Sequence, residues 1–273
     1  MQNLQTPLPV GSIIQWRYVV QALLGKDGFG AIYLVKEQGI TPNISNLFAL
    51  KEVISPSKQE RYKITAQGKL LRQLHHQTLP HVHNVFTDDK NDRVYILIDY
   101  IEGPNLELLR LHQPTKSFSL PQAMSIIAPV IDAVSYLHSQ QLIHQDIKPA
   151  NIIMSKTNGK PVLVNFSPFK KQAHDSPNGT SASRPRSFGY GAPEQYSEES
   201  SIRTDIYGLG ATLYTLLTGL VPTDALYRIK QLAATGFDPL VPVNRIAISY
   251  STTTTETIYR TVNFHRMIQL GEK

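Results

Sequence analysis

The chain has 273 residues, 41% of them hydrophobic and 18% charged, which is typical of a globular protein and argues against a disordered one. Its formal net charge of +6 suits an anionic partner, but the Lys and Arg residues are scattered, which favours a solvated surface over a nucleic-acid interface. Cysteine is absent, so disulfides and thiolate-bound metals are excluded. The sequence shows no secretory signal pattern and no apolar run of about 18 residues, so we expect a cytoplasmic protein with no membrane partner.

Strand-like runs dominate the beginning of the chain. Tyr18 to Leu24 and Ala31 to Val35 are β-favouring runs that flank a glycine-rich turn, residues 25–30. Glycine has no Cβ, so such a turn lets backbone N–H groups approach phosphates, although a simple hairpin has the same composition. The next predicted strand, Leu47 to Lys51, ends in a lysine that could reach the phosphates of a nucleotide.

A helix, two strands and a second helix are predicted next. Lys58 to Leu74 has leucines at the spacing of one buried helical face. Val82 to Thr87 and Arg93 to Tyr100 are predicted strands joined by a polar turn, and residues 101–103 are the natural place for a hinge. Apolar residues recur at helical spacing from Leu120 to Gln140, which predicts a long amphipathic helix.

The segment after that helix carries the strongest chemical signal. It reads Leu-Ile-His-Gln-Asp-Ile-Lys-Pro-Ala-Asn and brings together Asp146, Lys148 and Asn151. Phosphoryl transfer needs a carboxylate to accept the proton of the attacking hydroxyl, a cation to offset phosphoryl charge and an oxygen ligand for a metal. For this segment alone, a polar loop between a helix and a short strand is the plain alternative.

The remaining chain is predicted to contain short strands, one long polar segment and further helices. A segment of about thirty residues from Asn165 is too long and polar for a structural turn, so it is a functional loop or disordered. An apolar helix is expected from Thr204 to Thr218. The weaker predicted elements are the strands Asn151 to Met154 and Pro161 to Val164 and the helices near Asp224 to Leu232 and Thr253 to Thr261.

Taken together in this order, these segments resemble a eukaryotic-type Ser/Thr protein kinase domain of the bacterial branch. The resemblance covers residues 14–268 and includes the motifs Gly-Tyr-x-x-Pro-Glu-Gln-Tyr and Asp-Ile-Tyr-x-Leu-Gly-Ala-Thr-Leu-Tyr. It implies an α+β fold in a single bilobal kinase domain, residues 14–273. A small β-sheet lobe with one helix would span 14–100, a hinge 101–103 and a larger helical lobe 104–273.

The resemblance also implies ATP and Mg²⁺ as cofactors and a role for each matching residue. Asp146 would be the catalytic base and Lys148 the charge stabiliser, with Ser187 beside it, and Asn151 and Asn165 would be the metal ligands. Glu194 would pair with Arg266, and Asp205 would support the catalytic loop. The residues implied to bind the nucleotide are Gly25, Gly28, Gly30, Ile32, Ala49, Lys51, Asp99, Ile101 and Ile153.

Four positions depart from the family pattern. Asn165 replaces the aspartate of the Asp-Phe-Gly motif, so a neutral amide stands where a carboxylate would bind Mg²⁺. Gln67 stands where a glutamate would pair with Lys51, Asp27 replaces the middle glycine of the phosphate turn, and Gln145 replaces an arginine that reads loop phosphorylation. Loss of one preorganised electrostatic group lowers a rate on the order of 10²–10³-fold.

Three functions follow as hypotheses. The first is a pseudokinase that binds ATP, transfers phosphate weakly or not at all, and acts through a protein partner. The second is a working Ser/Thr protein kinase in which Mg²⁺, or Mn²⁺, is held by amide oxygens and water. The third is a small-molecule phosphotransferase of related fold, which Ala192-Pro193-Glu194 disfavours because this segment is typical of a protein-substrate platform.

Overall fold

The computed structural model describes residues 6–27, 30–39, 47–55, 57–166, 187–197 and 200–246. The chain divides into two units, Met1–Ile101 and Glu102–Lys273. Gly28, Arg266 and the helix predicted near Thr253 to Thr261 lie outside the described residues, as does most of the long polar segment that follows Asn165.

Among the described residues of the first unit, an antiparallel sheet contains six strands. They are β1 (Ile13–Ile14), β2 (Tyr18–Asp27), β3 (Gly30–Glu37), β4 (Leu47–Ile54), β5 (Val82–Asp88) and β6 (Arg93–Asp99). Their spatial order is β1-β2-β3-β4-β6-β5, so the last two strands are exchanged relative to the chain. Every pair of neighbours is antiparallel.

One face of this sheet carries the hydrophobic core of the first unit. Tyr33, Val35 and Leu50 are fully buried there, together with alternate residues of β2 and β6. Side chains alternate between faces along a strand, so Ile32 and Lys51 belong to the opposite face. The alternation of side chains along β3 and β4 therefore separates core positions from candidate ligand positions.

Helix α1 (Lys58–Leu71) packs against β5 and β6. The buried Arg61 guanidinium fixes its first turn, donating to the backbone oxygen of Ser55 at 2.7 Å, to Asp92 at 2.8 Å and to Asp89 at 3.1 Å. Further along, Gly68 is buried so closely that an added Cβ would lie 2.5 Å from a methyl carbon of Val85. The helix is thus attached to the sheet near both of its ends.

The turn between β1 and β2 has an unusual backbone. Gln15 and Trp16 both have positive φ angles, 52° and 56°, a conformation that two-residue hairpin turns normally reserve for asparagine and glycine. Trp16 is 95% exposed. A bulky residue in this region stores strain on the order of 1–3 kcal/mol.

The described part of the second unit consists mainly of helices. The longest of them, α3 (Leu120–Ser139), contacts α4 (Ile202–Thr218). Helix α3 buries an apolar face, whereas the buried residues of α4 include Asp205 and four threonines. By length and composition α3 could span a membrane, with a mean hydropathy of 1.3, but the core helix of a folded unit passes the same test. The elements are α2 (Leu106–Leu111), α3 (Leu120–Ser139), β7 (Ile152–Met154), β8 (Pro161–Leu163), α4 (Ile202–Thr218), α5 (Ala225–Thr235) and α6 (Val243–Ile246).

Within the described residues, each predicted strand and helix is present, with bounds that differ by a few residues. Helix α1 ends at Leu71, a few residues earlier than predicted, and Asp224 caps α5 instead of belonging to it. Strand β1 and the helices α2 and α6 were not predicted. The two helices are shorter than two helical turns, so their sequences show no helical period, and β1 has only two residues.

Candidate functional site

Asp146 lies at the centre of a hydrogen-bonded cluster in the loop between α3 and β7. Its Oδ1 accepts the Ser187 hydroxyl at 2.9 Å. Its Oδ2 accepts the Asn151 side-chain amide at 2.9 Å and forms an ion pair with Lys148 Nζ at 3.2 Å. The Asp146 and Lys148 side chains are 20% and 23% exposed, so both are partly accessible to a ligand.

Ser187 closes the cluster from a distant part of the sequence. It accepts a hydrogen bond from Lys148 Nζ at 2.5 Å while donating to Asp146. The prediction that Ser187 lies beside Lys148 is thereby confirmed. A hydroxyl held between a carboxylate and an ammonium group is the arrangement that an acceptor alcohol needs for proton transfer to the carboxylate.

Asp205 supports this loop from helix α4. Its buried carboxylate accepts the backbone N–H of His144 at 2.8 Å and that of Gln145 at 2.7 Å, and it contacts His138 Nε2 at 2.9 Å. One turn later, Gly208 lies directly against the loop, where an added Cβ would be 3.1 Å from the Ile147 side chain. The supporting role predicted for Asp205 is confirmed.

The fully buried His144 ring fixes the backbone just before Asp146. Its Nδ1 faces the backbone N–H of Asp146 at 3.3 Å and so must accept, which leaves Nε2 to donate to the carbonyl oxygen of Val164 at 3.2 Å. This assigns the neutral Nε2–H tautomer. The ring therefore connects the loop to the strand that leads to Asn165.

Gln195 is a supporting residue that the sequence analysis missed. Its Nε2 donates to the backbone oxygen of Gln145 at 3.0 Å, and its Oε1 accepts the backbone N–H of Ala192 at 2.9 Å. Gln145 has a φ of 68°, so the bond from Gln195 Nε2 holds a strained peptide beside the candidate base. The available signal was its place in the motif Gly-Tyr-x-x-Pro-Glu-Gln-Tyr, for which no role was predicted. In the structure Gln195 is 8% exposed.

Asn151 and Asn165, the predicted metal ligands, are hydrogen-bonded to each other. The Asn165 Nδ2 donates to Asn151 Oδ1 at 3.4 Å, while Asn151 Nδ2 donates to Asp146. Asn165 has a φ of 64°, a left-handed conformation that asparagine tolerates well. The structure thus brings the two residues together, but as an amide pair.

This donor set fits Mg²⁺ poorly. Mg²⁺ prefers one or two carboxylates together with substrate phosphates and water. The two amides carry no charge, and the neighbouring carboxylate of Asp146 is already bound by Lys148, Ser187 and Asn151. In the part of the chain that the structure describes, no group of three or more His, Cys, Asp or Glu residues could hold a metal.

Three residues predicted to bind nucleotide are aligned across the sheet of the first unit. Gly25 of β2 pairs with Ile32 of β3, which pairs in turn with Lys51 of β4. Directly paired residues share a face, so this row lies opposite the core. Lys51 is 8% exposed and Ile32 is half-buried.

The two described glycines of the phosphate turn differ in their surroundings. A Cβ on Gly30 would collide with the carbonyl oxygen of Glu52, so close packing of β3 on β4 already requires glycine there. At Gly25, no described atom lies within 4 Å of an added Cβ. Packing among the described residues therefore does not explain Gly25.

The remaining predicted nucleotide residues lie in both units. In the first, Asp99 donates its backbone N–H to His81 O at 3.0 Å, and its carboxylate accepts the His81 N–H at 2.9 Å and contacts His83 Nε2 at 2.6 Å. Ala49 is buried and Ile101 is half-buried there. In the second, Ile153 is half-buried in β7 and bridges to Asn105.

Two other predicted pairings are described only in part. Glu194 accepts the Thr204 hydroxyl at 2.8 Å, while its predicted partner Arg266 lies outside the described ranges. Gln67 is half-buried in α1.

Beyond Ser187, the phenol of Tyr190 donates to Thr215 Oγ1 at 3.1 Å, and burial raises the pKa of Tyr190.

Comparisons with known proteins agree on one family. The protein-family model described as "Protein kinase domain" matches residues 18–261 of this chain. Serine/threonine-protein kinase Sgk1-A of Xenopus laevis is 32% identical over 201 residues, 73% of this chain and 45% of the relative. Serine/threonine-protein kinase B of Synechocystis is 32% identical over 227 residues, 76% of this chain and 38% of the relative. The chain thus spans less than half the length of these two relatives.

A solved structure shares the fold. The kinase domain of PknI from Mycobacterium tuberculosis aligns with a TM-score of 0.68 at 22% identity, over 94% of this chain and 92% of that one. This likeness confirms the predicted fold class, a small β-sheet lobe followed by a helical lobe.

Proposed function

The chain belongs to the protein kinase domain family, and on that premise we propose that it binds ATP, transfers phosphate weakly or not at all, and acts by binding a protein partner. The observation that carries the proposal is the amide pair of Asn165 and Asn151. It replaces a carboxylate that would hold a divalent cation on the phosphates. Without that charge, the developing negative charge of the transition state is less well compensated.

Features of the first unit support nucleotide binding. Gly25 leaves an approach to the backbone that no described side chain fills, which suits a ligand phosphate. Lys51 lies next to Ile32 on the face opposite the core, so it would contact the α- and β-phosphates while Ile32 and Ala49 would contact adenine. The backbone of Asp99 and Ile101 would hydrogen-bond the adenine edge.

The second unit supplies the proposed reactive groups. Asp146 would accept the proton of an acceptor hydroxyl, and Lys148 would offset phosphoryl charge. A divalent cation, Mg²⁺ or Mn²⁺, would compensate phosphate charge when bound, and the oxygens of Asn151 and Asn165 are its proposed ligands. Because these ligands are neutral, the site is weakened.

A second candidate function is a working Ser/Thr protein kinase. It is favoured by the cluster of Asp146, Lys148 and Ser187, in which a hydroxyl already donates to the candidate base. A substrate serine or threonine that displaced Ser187 would have the same two partners. Its proton would pass to Asp146 as its oxygen attacked the γ-phosphorus, and the bond from that phosphorus to the bridging oxygen would break to release ADP.

The deciding experiment is phosphate incorporation measured by mass spectrometry, with Mg²⁺ and with Mn²⁺. It compares the natural chain with Asp146→Ala and Asn165→Asp, using the chain itself and a generic basic protein as acceptors. We expect incorporation only with Asn165→Asp. Incorporation by the natural chain that Asp146→Ala abolishes would overturn the proposal and establish the kinase.

The proposed partner is a protein, regulated or phosphorylated, and the proposed location is the cytoplasm. The scattered basic residues do not support a nucleic-acid partner. Labelling of an added sugar or amine, with none of protein, would instead identify a small-molecule phosphotransferase.

A further inference from the structure

The charges around Asp146 are compensated without a metal ion. Lys148 Nζ lies 3.2 Å from its Oδ2, Asn151 donates to the same oxygen, and Ser187 donates to the other. A carboxylate with a cation and two hydrogen-bond donors repels an approaching phosphate less than a bare one does. The repulsion between Asp146 and an approaching phosphate is therefore already reduced by the chain itself.

The oxygen that would ligate the cation also has a partner of its own. Asn151 Oδ1 accepts a hydrogen bond from the side-chain amide of Asn165, and Asn151 Nδ2 donates one to Asp146 Oδ2. A cation would have to break the amide pair and rotate Asn165, and it would gain two neutral ligands in return. Binding of a metal is thus opposed at both asparagines.

We propose that this chain binds ATP independently of a divalent cation, with part of the triphosphate charge compensated by the Lys51 side chain. This inference deepens the proposed function and rests on it. Lys51 is 8% exposed. Burial strengthens a charge–charge interaction because water screens it less.

The test measures ATP affinity by calorimetry and by thermal shift, first with EDTA and then with excess Mg²⁺. For the natural chain we expect the two ATP dissociation constants to agree within about threefold, because no charged ligand at the two asparagines stabilises bound Mg²⁺. For Asn165→Asp we expect Mg²⁺ to tighten ATP binding by about tenfold or more, as a charge-assisted contact does.

Asn158→Asp is the matched control. Asn158 is exposed in the turn between β7 and β8, and its Oδ1 accepts the Lys160 N–H, a bond that an aspartate keeps. This variant adds the same charge away from Asn165, so we expect it to behave like the natural chain. Equal Mg²⁺ dependence in Asn158→Asp and Asn165→Asp would contradict the role assigned to Asn165.

The outcomes separate this inference from the proposed function. ATP binding by the natural chain that appears only with Mg²⁺ would overturn the inference and leave ATP binding intact. No binding in either condition would overturn both. Metal-independent binding together with phosphate incorporation would uphold the inference and overturn the weak-transfer part of the proposed function.

Discussion

The carboxylate of Asp205 accepts the backbone N–H of Gln145 at 2.7 Å, although Asp205 lies sixty positions later in the chain. The same carboxylate accepts the His144 N–H at 2.8 Å and is 1% exposed. Two backbone N–H groups of the candidate catalytic loop therefore depend on one side chain.

Asp205→Asn is expected to lower the free energy of unfolding by on the order of 3 kcal/mol. The amide keeps one acceptor oxygen but turns an N–H toward a backbone donor, and bonds to a charged acceptor are worth about 1.5–3 kcal/mol each. Urea denaturation would measure the loss. Asp132→Asn, an exposed position on α3, is the control, and equal stability of the two variants would refute the supporting role.

Ser187→Ala should cost about 1 kcal/mol of stability, because it removes the hydroxyl between Asp146 and Lys148. Ser187→Thr keeps the hydroxyl and should differ from the natural chain by less than about 0.5 kcal/mol. The free energy of unfolding of the three chains is the measurement. If alanine and threonine destabilise equally, the hydrogen bonds to Ser187 contribute nothing.

Arg61→Ala should loosen α1 from the sheet. The guanidinium is buried and donates to Ser55 O, whereas its two aspartate partners are 62% and 51% exposed. We therefore expect the free energy of unfolding to fall by about 2 kcal/mol, which is less than the loss of a buried ion pair would cost. Hydrogen exchange should accelerate at the amides of α1. Arg72→Ala, at the exposed end of the same helix, should leave exchange unchanged.

Gly68→Ala should destabilise the protein, although alanine favours a helix by about 1 kcal/mol over glycine. The added methyl would lie 2.5 Å from Val85, and overpacking costs about 1–3 kcal/mol. In the double variant with Val85→Ala the space reopens, so the loss should be smaller than the sum of the two single losses. Additive losses would show that the two residues do not interact.

Stability should fall at alkaline pH because of buried tyrosines. Burial raises the pKa of Tyr214 from 10.0 to about 12. The folded state then holds the phenol proton more tightly, so its contribution is complete below pH 10 and is lost as the pH rises toward 12. Tyr33 shifts in the same direction, mainly through burial.

Tyr214→Phe tests this dependence through the free energy of unfolding between pH 9 and about 12. The variant loses the hydrogen bond to Val241 O and is less stable at neutral pH, but its alkaline fall should be shallower. Tyr62→Phe, at a position 76% exposed, should retain the full slope. An unchanged slope in Tyr214→Phe would contradict the assignment.

Local motifs made much of this protein predictable. Asp146, Lys148 and Asn151 are close in the sequence, so their spacing alone indicated a shared cluster, and the structure brings them together. Asp205 and Ser187 were found only through the resemblance to kinases, because they come from distant segments. The strands were predictable because their sequences are runs of β-favouring residues, such as residues 31–35 of β3.

Other contacts carry no local signal. Arg61 meets Asp89 and Asp92, 28 and 31 positions away, only because the turn between β5 and β6 lies beside α1. Likewise, the bond of Gln195 to Gln145 depends on where the chain returns after residues 167–186. The pairing of Asn165 with Asn151 was not foreseen, since the sequence shows the amide but not what it faces.

The exposure of Trp16 determines which spectroscopic signals can report the unfolding of this protein. Trp16 is its one tryptophan and is 95% exposed, so the indole is surrounded by water both in the folded and in the unfolded chain. Indole emission should therefore stay red-shifted throughout denaturation and report little of the loss of structure. Circular dichroism or the fluorescence of buried tyrosines, such as Tyr33 and Tyr207, is the signal that will follow unfolding.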